Sequence, residues 1–123
     1  MSITFVDLFS GIGGFHGVGS AFGWKCVFAS EIDEQAARIY SVNWGFQPSG
    51  DIKAFTTGKN RKSIPQHDVL FAGFPCQPFS KSGKQLGMQE DRGSLFHDIL
   101  KILAETEPTM FILERSEEHT SEL

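Results

Sequence analysis

Ile3-Thr4-Phe5-Val6-Asp7-Leu8-Phe9-Ser10-Gly11-Ile12-Gly13-Gly14 is an apolar, β-branched run that ends in a glycine turn. This is the pattern of a buried strand, Ile3 to Phe9, feeding a helix through a tight turn. The helix is expected over Gly13 to Phe22. Gly17 and Gly19 lie inside it and each costs about 1 kcal/mol relative to alanine, so close packing or a ligand must account for them. A glycine turn at a strand end lets a ligand approach the backbone and meet N–H groups at the helix N-terminus. The glycine spacing departs from the GxGxxG dinucleotide fingerprint, so the turn alone is a weak functional signal.

Outward from this turn the chain alternates. Lys25 to Glu31 reads as a second strand, and Asp33 to Trp44 as an amphipathic helix capped by Asp33, with Ala36, Ala37, Ile39, Tyr40 and Val42 as its apolar positions. Residues 45–66 carry Pro48, Gly50, Gly58 and the basic cluster Lys59, Arg61, Lys62, and are expected to be mostly loop with one turn of helix after Asp51. Asp68 to Ala72 is a third strand running into Gly73-Phe74-Pro75-Cys76-Gln77-Pro78-Phe79-Ser80. A polar loop to about Gly93, a helix capped by Ser94 from Leu95 to Glu105, and a last strand from Thr109 to Glu114 complete the pattern. Leu95, Ile99, Ile102 and Leu103 share one face of that helix. Such alternation predicts an α/β fold with a doubly wound, mostly parallel sheet and right-handed crossovers. Ligands bind such sheets at the carboxyl ends of the strands. Phe9, Glu31, Cys76 and Glu114 all fall there.

The chain has 123 residues, 40% hydrophobic and 21% charged, which fits one globular domain and excludes a disordered or collagen-like class. A net charge of −4 and a pI of about 5.5 exclude a basic field of the kind that holds a nucleic-acid backbone. If the chain acts on nucleic acid, most of the grip lies elsewhere. No stretch approaches the roughly 20 apolar residues that span a bilayer, and no leader pattern opens the chain, so a cytoplasmic protein is expected. Neither Cys26 nor Cys76 belongs to a spaced pair, so both are read as reduced thiols. His16, His67, His97 and His119 show no ligand spacing, and no metal is assigned. Arg115 to Leu123 (RSEEHTSEL) turns abruptly polar and resembles the translation of sequencing-adaptor DNA. It is read as an artefact appended to residues 1–114, the alternative being a natural exposed tail.

Two constellations carry chemistry. Glu31 follows the glycine turn by about 20 residues, where an acidic side chain can accept both hydroxyls of a ribose; otherwise it is a solvated strand end. Asp51 could accept from an adenine amino group while Ile52 packs on the ring, or serve as a helix cap. Cys76 sits between two prolines on a loop at a strand's end, which holds it rigidly and argues against core packing. As a thiolate it would be reactive. Cys26, within an apolar strand, reads instead as a small buried hydrophobe.

Together DLFSGIGG (7–14), Glu31, Gly50-Asp51-Ile52, GFPCQPFS (73–80) and the run from Gly83-Lys84-Gln85 to Asp91-Arg92-Gly93 resemble, in order and spacing, the motifs of bacterial DNA cytosine-5 methyltransferases. The resemblance spans about residues 4 to 114. It implies S-adenosylmethionine as cofactor, held by Phe9, Ser10, Gly11, Ile12, Gly13 and Gly14, with Glu31 at the ribose, Asp51 and Ile52 at the adenine, and Ile32, Pro75 and Leu95 completing the site. Cys76 is the implied nucleophile. Glu114 takes the Glu of the family's Glu-Asn-Val tripeptide, while Arg115 and Ser116 replace the other two.

The chemistry implied is covalent catalysis, because carbon 5 of cytosine is too weak a nucleophile to take a sulfonium methyl unaided. The implied partner is duplex DNA with its target cytosine flipped out, contacted by Gln77 and by Ser80, Ser82, Lys84 and Arg92, the last four on a closing loop over Ser80 to Arg92. A cognate restriction endonuclease encoded nearby, a monomeric enzyme and no membrane belong to the same expectation. The family's sheet order is 3-2-1-4-5, and its members continue well past Glu114. The chain is therefore expected to be the front part of a catalytic domain, cut off after about five strands and inactive alone. Two rivals are an RNA cytosine-5 methyltransferase and a noncatalytic cofactor-binding module. A cysteine hydrolase using His67 or His97 is a third, though nothing positions either histidine beside Cys76.

Overall fold

The structure, a computed structural model, describes residues 2–73 and 85–115, over 85–94 by their backbone alone. Strand β1 (Thr4–Leu8) leads through the glycine turn to helix α1 (Gly14–Ala21), then β2 (Lys25–Ala29) and α2 (Glu34–Trp44). A 3-10 helix (Ile52–Phe55), β3 (Val69–Ala72), α3 (Gln85–Thr106) and β4 (Met110–Leu113) follow. All pairings are parallel and the order is β2-β1-β3-β4. The chain moves from β1 to β2 on one side and returns to β3 on the other. The crevice at the carboxyl ends of β1 and β3 is therefore the topological switch point.

Period-2 alternation sorts the two faces of the sheet. Val6, Leu8, Leu70 and Ala72 meet Ile99 and Ile102 of α3 and Ile52 on one face. Phe5, Val69 and Phe71 meet Phe15 and Trp24 on the other. The expected core face of α3 is present, with Ile99 and Ile102 buried and Leu95 and Leu103 packed beside them. On α2 only part of the expected stripe is inside: Ala37 and Tyr40 are buried, whereas Ile39 and Val42 are exposed.

The two central glycines of α1 are explained by close approach. A methyl on Gly19 would lie 2.4 Å from the Phe5 ring, and one on Gly17 would lie 3.3 Å from Trp44. Phe5 is wholly buried and cannot swing away. Gly19→Ala is therefore expected to destabilise the chain by about 1–3 kcal/mol despite the better helix propensity of alanine. A urea-unfolding midpoint equal to or above the parent's would contradict this.

Three expectations change. Ser94 does not cap a helix: α3 begins at Gln85, and Ser94 lies within it. The polar stretch 85–93 was expected as loop because of Gly87 and Gly93, but its Gln, Leu, Met and Glu residues are good helix formers and each glycine costs only about 1 kcal/mol. The closing loop expected over Ser80 to Arg92 is therefore helical from Gln85 onward. Finally, the described residues hold four strands rather than about five. Beyond β2, where the next strand of the 3-2-1-4-5 order would lie, there is a single bridge between Ser30 and Ser49. Pro48 and Gly50 flank that bridge and oppose a longer ladder. β4 forms the far edge, with Met110, Phe111 and Ile112 exposed.

Candidate cofactor site

The backbone turns sharply as β1 ends. Phe9 takes φ +54°, Gly11 +58° and Gly13 +103°, all in the left-handed half of conformational space. A non-glycine residue there is held by its surroundings: the Phe9 amide donates to Ser30 Oγ at 3.3 Å and the Ser10 amide to the Ser30 carbonyl at 2.8 Å. β1 and the end of β2 thus fix the entry to the turn.

Glu31 joins the turn to the start of α2. Its Oε1 accepts from the Gly11 amide at 2.8 Å and its Oε2 from the Asp33 amide at 3.0 Å. A carboxylate has about four acceptor sites, so roughly two remain for a ligand's hydroxyls. Asp33 caps α2 as expected, its Oδ1 accepting from the Gln35 and Ala36 amides. Asp51 likewise caps the 3-10 helix through the Lys53 amide at 2.9 Å. That short helix is pinned to α3, since buried Asp98 meets Lys53 Nζ at 2.8 Å and accepts from Thr56 Oγ1 at 2.9 Å.

These elements enclose a cavity of about 480 Å³ at the switch point. Of the residues singled out in the sequence, Phe9, Gly11, Glu31, Ile32, Asp51, Ile52 and Leu95 line it. Ser10 and Gly14 line a second cavity of about 460 Å³, which shares Phe9, Gly11 and Gly73 with the first. Glu114 opens into this second cavity, placed by its amide's bond to the Ala72 carbonyl at 2.9 Å. Gly13 and Ile12 line neither: Gly13 is buried against Trp44 and Ile12 faces outward. Pro75, Cys76, Gln77, Ser80, Ser82 and Lys84 lie outside the described residues, as does 116–123 of the polar tail. Arg92 lies in α3, its side chain outside the described set.

Among the described residues, the first cavity carries Glu31, Asp33 and Asp51 and no cationic side chain. Such a lining repels a phosphate-bearing dinucleotide and suits a cationic ligand with hydroxyl and amino donors. Apolar Phe9, Ile32, Ile52 and Leu95 offer faces for a flat ring.

Sequence reading missed the support beneath the turn. Asp7 projects from β1 toward α1 and α2, wholly buried, with the Tyr40 hydroxyl donating to its Oδ2 at 3.2 Å. His16 Nδ1 lies 2.6 Å from the same hydroxyl. Burial pushes the Asp7 carboxyl up to about 7, partly opposed by the Tyr40 hydrogen bond and reinforced by the charge of Glu31. Burial also raises Tyr40, lowers His16 and pushes the Cys26 thiol up to about 11. Cys26 is half-buried, and its thiol donates to the Phe28 carbonyl, in keeping with an inert packing role. Asp7 alternates in phase with Phe5, which was the available sign that a carboxyl points into the core.

A parallel sheet whose glycine turn and acidic strand end flank the switch-point cavity defines a Rossmann-like fold of the methyltransferase kind. The Dnmt2 methyltransferase of S. pombe shares it, with a TM-score of 0.68 and 25% sequence identity over 97% of this chain and 38% of that one. The chain belongs to the C-5 cytosine-specific DNA methylase family, whose model matches residues 3–121. It is 46% identical to the Type II methyltransferase M.HhaI of Haemophilus parahaemolyticus over 91% of this chain and 33% of that protein. Type II methyltransferase M.AluI of Cellulosimicrobium cellulans is 50% identical over 90% of this chain and 22% of that protein. The chain thus spans a third or less of these relatives. Among the described residues no helix is long and apolar enough to cross a membrane.

Proposed function

We propose that this chain is the cofactor-binding front part of an enzyme that transfers a methyl group from S-adenosylmethionine to carbon 5 of cytosine in DNA. The observation that carries this reading is the acidic cavity at the switch point, with Glu31 keeping free acceptor sites beside an apolar wall. The donor set fits the cofactor: Glu31 for the ribose hydroxyls, Asp51 for the adenine amino group, Ile52, Phe9 and Leu95 against the ring. A carboxylate-rich lining also favours a sulfonium and an ammonium. When bound, S-adenosylmethionine supplies an electrophilic methyl group.

The remaining steps belong to the protein. Cys76, as thiolate, adds to carbon 6 of the cytosine while Glu114, as a carboxylic acid, donates to ring nitrogen 3. The electron pair from the carbon 5–carbon 6 double bond becomes available at carbon 5, which takes the methyl. Loss of the carbon 5 proton to a base then expels the thiolate and restores the double bond. Glu114 opens into the cavity adjoining the cofactor site, which supports this division of space. DNA is favoured over RNA by the family, described as C-5 cytosine-specific DNA methylases. A flipped cytosine, a monomeric enzyme and a cognate restriction endonuclease belong to the same reading. The DNA contacts assigned to Gln77, Ser80, Ser82, Lys84 and Arg92 complete it.

The test is calorimetric titration of the folded chain, its fold checked by circular dichroism, with S-adenosylmethionine. Glu31→Ala removes the ribose acceptor and a support of the turn, and is expected to weaken binding about 10- to 100-fold, or about 1.4–3 kcal/mol. Equal affinity for parent and variant would remove Glu31 from the site.

A further inference from the structure

The glycine turn is gripped from two sides, and only one of them faces the cavity. On the cavity side Glu31 holds the Gly11 amide. On the outer side Trp44, the last residue of α2, donates its indole N–H to the Ile12 carbonyl at 3.2 Å. The same ring stacks on His16 of α1 with centroids 4.8 Å apart and planes 15° from parallel. It also lies so close to Gly13 that a methyl there would sit 2.1 Å from Nε1. Gly17, one turn further along α1, meets the far edge of the indole. Trp44 therefore touches the turn, and the first helical turn after it, at four successive points: Ile12, Gly13, His16 and Gly17.

Beneath the ring, His16 is held in turn. The one Tyr40 hydroxyl lies within hydrogen-bond distance of both Asp7 Oδ2 and His16 Nδ1, so the three side chains form a single buried polar chain. Tyr40 and Trp44 are spaced i, i+4 on α2 and face the same way. One face of α2 thereby fixes both the strand before the turn, through Asp7, and the helix after it, through His16.

We infer that Trp44 is a positioning residue for the cofactor site, acting through the glycine turn: its indole N–H and ring set the path of Ile12 and Gly13, and thereby the place of Phe9 and Gly11 in the cavity wall. This rests on the cofactor reading above, because it takes S-adenosylmethionine as the cavity's ligand. Trp44 itself lines neither cavity, so it touches no ligand. Its effect must pass through the backbone. Linkage then requires reciprocity: a ligand that prefers the ordered turn must tighten the contact between Trp44 and Ile12, just as that contact tightens the ligand.

Trp44→Phe tests this in the full chain, because it keeps a stacking ring while deleting the donor and the far edge of the indole. Three readouts are taken: the amide resonances and hydrogen exchange of Gly11 to Gly14 without ligand, the unfolding midpoint, and the affinity for S-adenosylmethionine. The expected result is exchange at the turn amides at least about fivefold faster, an affinity about 5- to 10-fold weaker, and a midpoint close to the parent's. The chain has two tryptophans, so the indole N–H signal of Trp44 is assigned by removing the other in Trp24→Phe. That signal is expected to shift when S-adenosylmethionine is added, which a purely structural tryptophan would not do. Unchanged turn amides in Trp44→Phe overturn the inference, and so does unchanged affinity. If the unaltered chain takes up no S-adenosylmethionine, the cofactor reading fails for this chain and the turn amides alone decide: loosened, they uphold the positioning role; unchanged, they overturn it.

Discussion

Gly13→Ala is expected to destabilise the chain by about 2–5 kcal/mol and to abolish cofactor binding under conditions where the parent binds. Two separate costs add. An alanine at φ +103° loses about 1–2 kcal/mol to backbone sterics. Its methyl would also meet Trp44 Nε1 at 2.1 Å and Cδ1 at 2.6 Å, with Tyr40 at 3.1 Å behind them. Forcing that ring aside overpacks a site fixed by His16 and adds about 1–3 kcal/mol. A double-mutant cycle separates the two: in a Trp44→Ala background the overlap is gone, and Gly13→Ala should cost only the backbone part. Urea unfolding of the four proteins gives the coupling, expected at about 2 kcal/mol. A cost for Gly13→Ala that is the same in both backgrounds would show that Trp44 does not restrict this position.

Such a cost explains what could and could not be read from the residues in order. The turn itself was legible, because an apolar run into Gly11, Gly13 and Gly14 has few other physical meanings. So was the Asp33 cap, while local chemistry leaves capping as one of two readings of Asp51; each accepts from the amide two residues on. For Asp51 the capping alternative and the ligand alternative turn out to be compatible, since one oxygen caps the 3-10 helix while the residue lines the cavity. The partner of Gly13 was not legible. Trp44 lies 31 residues away and reaches the turn only because α1 and α2 pack on the same face of the sheet. No local pattern encodes a contact of that separation.

The start of α3 was misread for the opposite reason. Gly87, Gly93 and the charged step between them looked like loop chemistry, yet propensity is a weak prior that a long helix can override. That a single bridge stands beyond β2 among the described residues, in place of a further strand, follows from Pro48 and Gly50, whose own chemistry is that of a loop. Asp7 was passed over because it sits within the motif that identifies the turn. Its place in the strand's alternation, in phase with Phe5, already put it inside.

That buried carboxyl leads to the second large effect, a pH dependence that Asp7→Asn should erase. Asp7 is wholly buried, one of its oxygens has no partner among the described residues, and desolvation pushes its carboxyl from an ordinary 3.8 up to about 7. A carboxyl whose folded value is raised favours the folded state fully below its unfolded value and loses that contribution as pH rises through the folded one. Between pH 3.8 and about 7 the Asp7 contribution therefore falls, by on the order of 4 kcal/mol at 1.36 kcal/mol per unit. Asparagine keeps the shape and the acceptor for Tyr40 and cannot ionise. The stability of Asp7→Asn minus that of the parent should accordingly widen in the variant's favour from about pH 4 to 7 and then level off. His16 and His67, both lowered by burial, act in the opposite sense: their contribution is lost as pH falls below 6.5. His67, bonded to Pro65 and Thr106, cancels in the difference; His16 shares the Tyr40 hydroxyl with Asp7, so any change in its contribution adds to the difference only below pH 6.5. Urea unfolding of the pair at unit pH steps from 4 to 8 measures it. A difference that does not change with pH would mean that Asp7 titrates alike in the folded and unfolded chain, and that the unpartnered oxygen is hydrated after all.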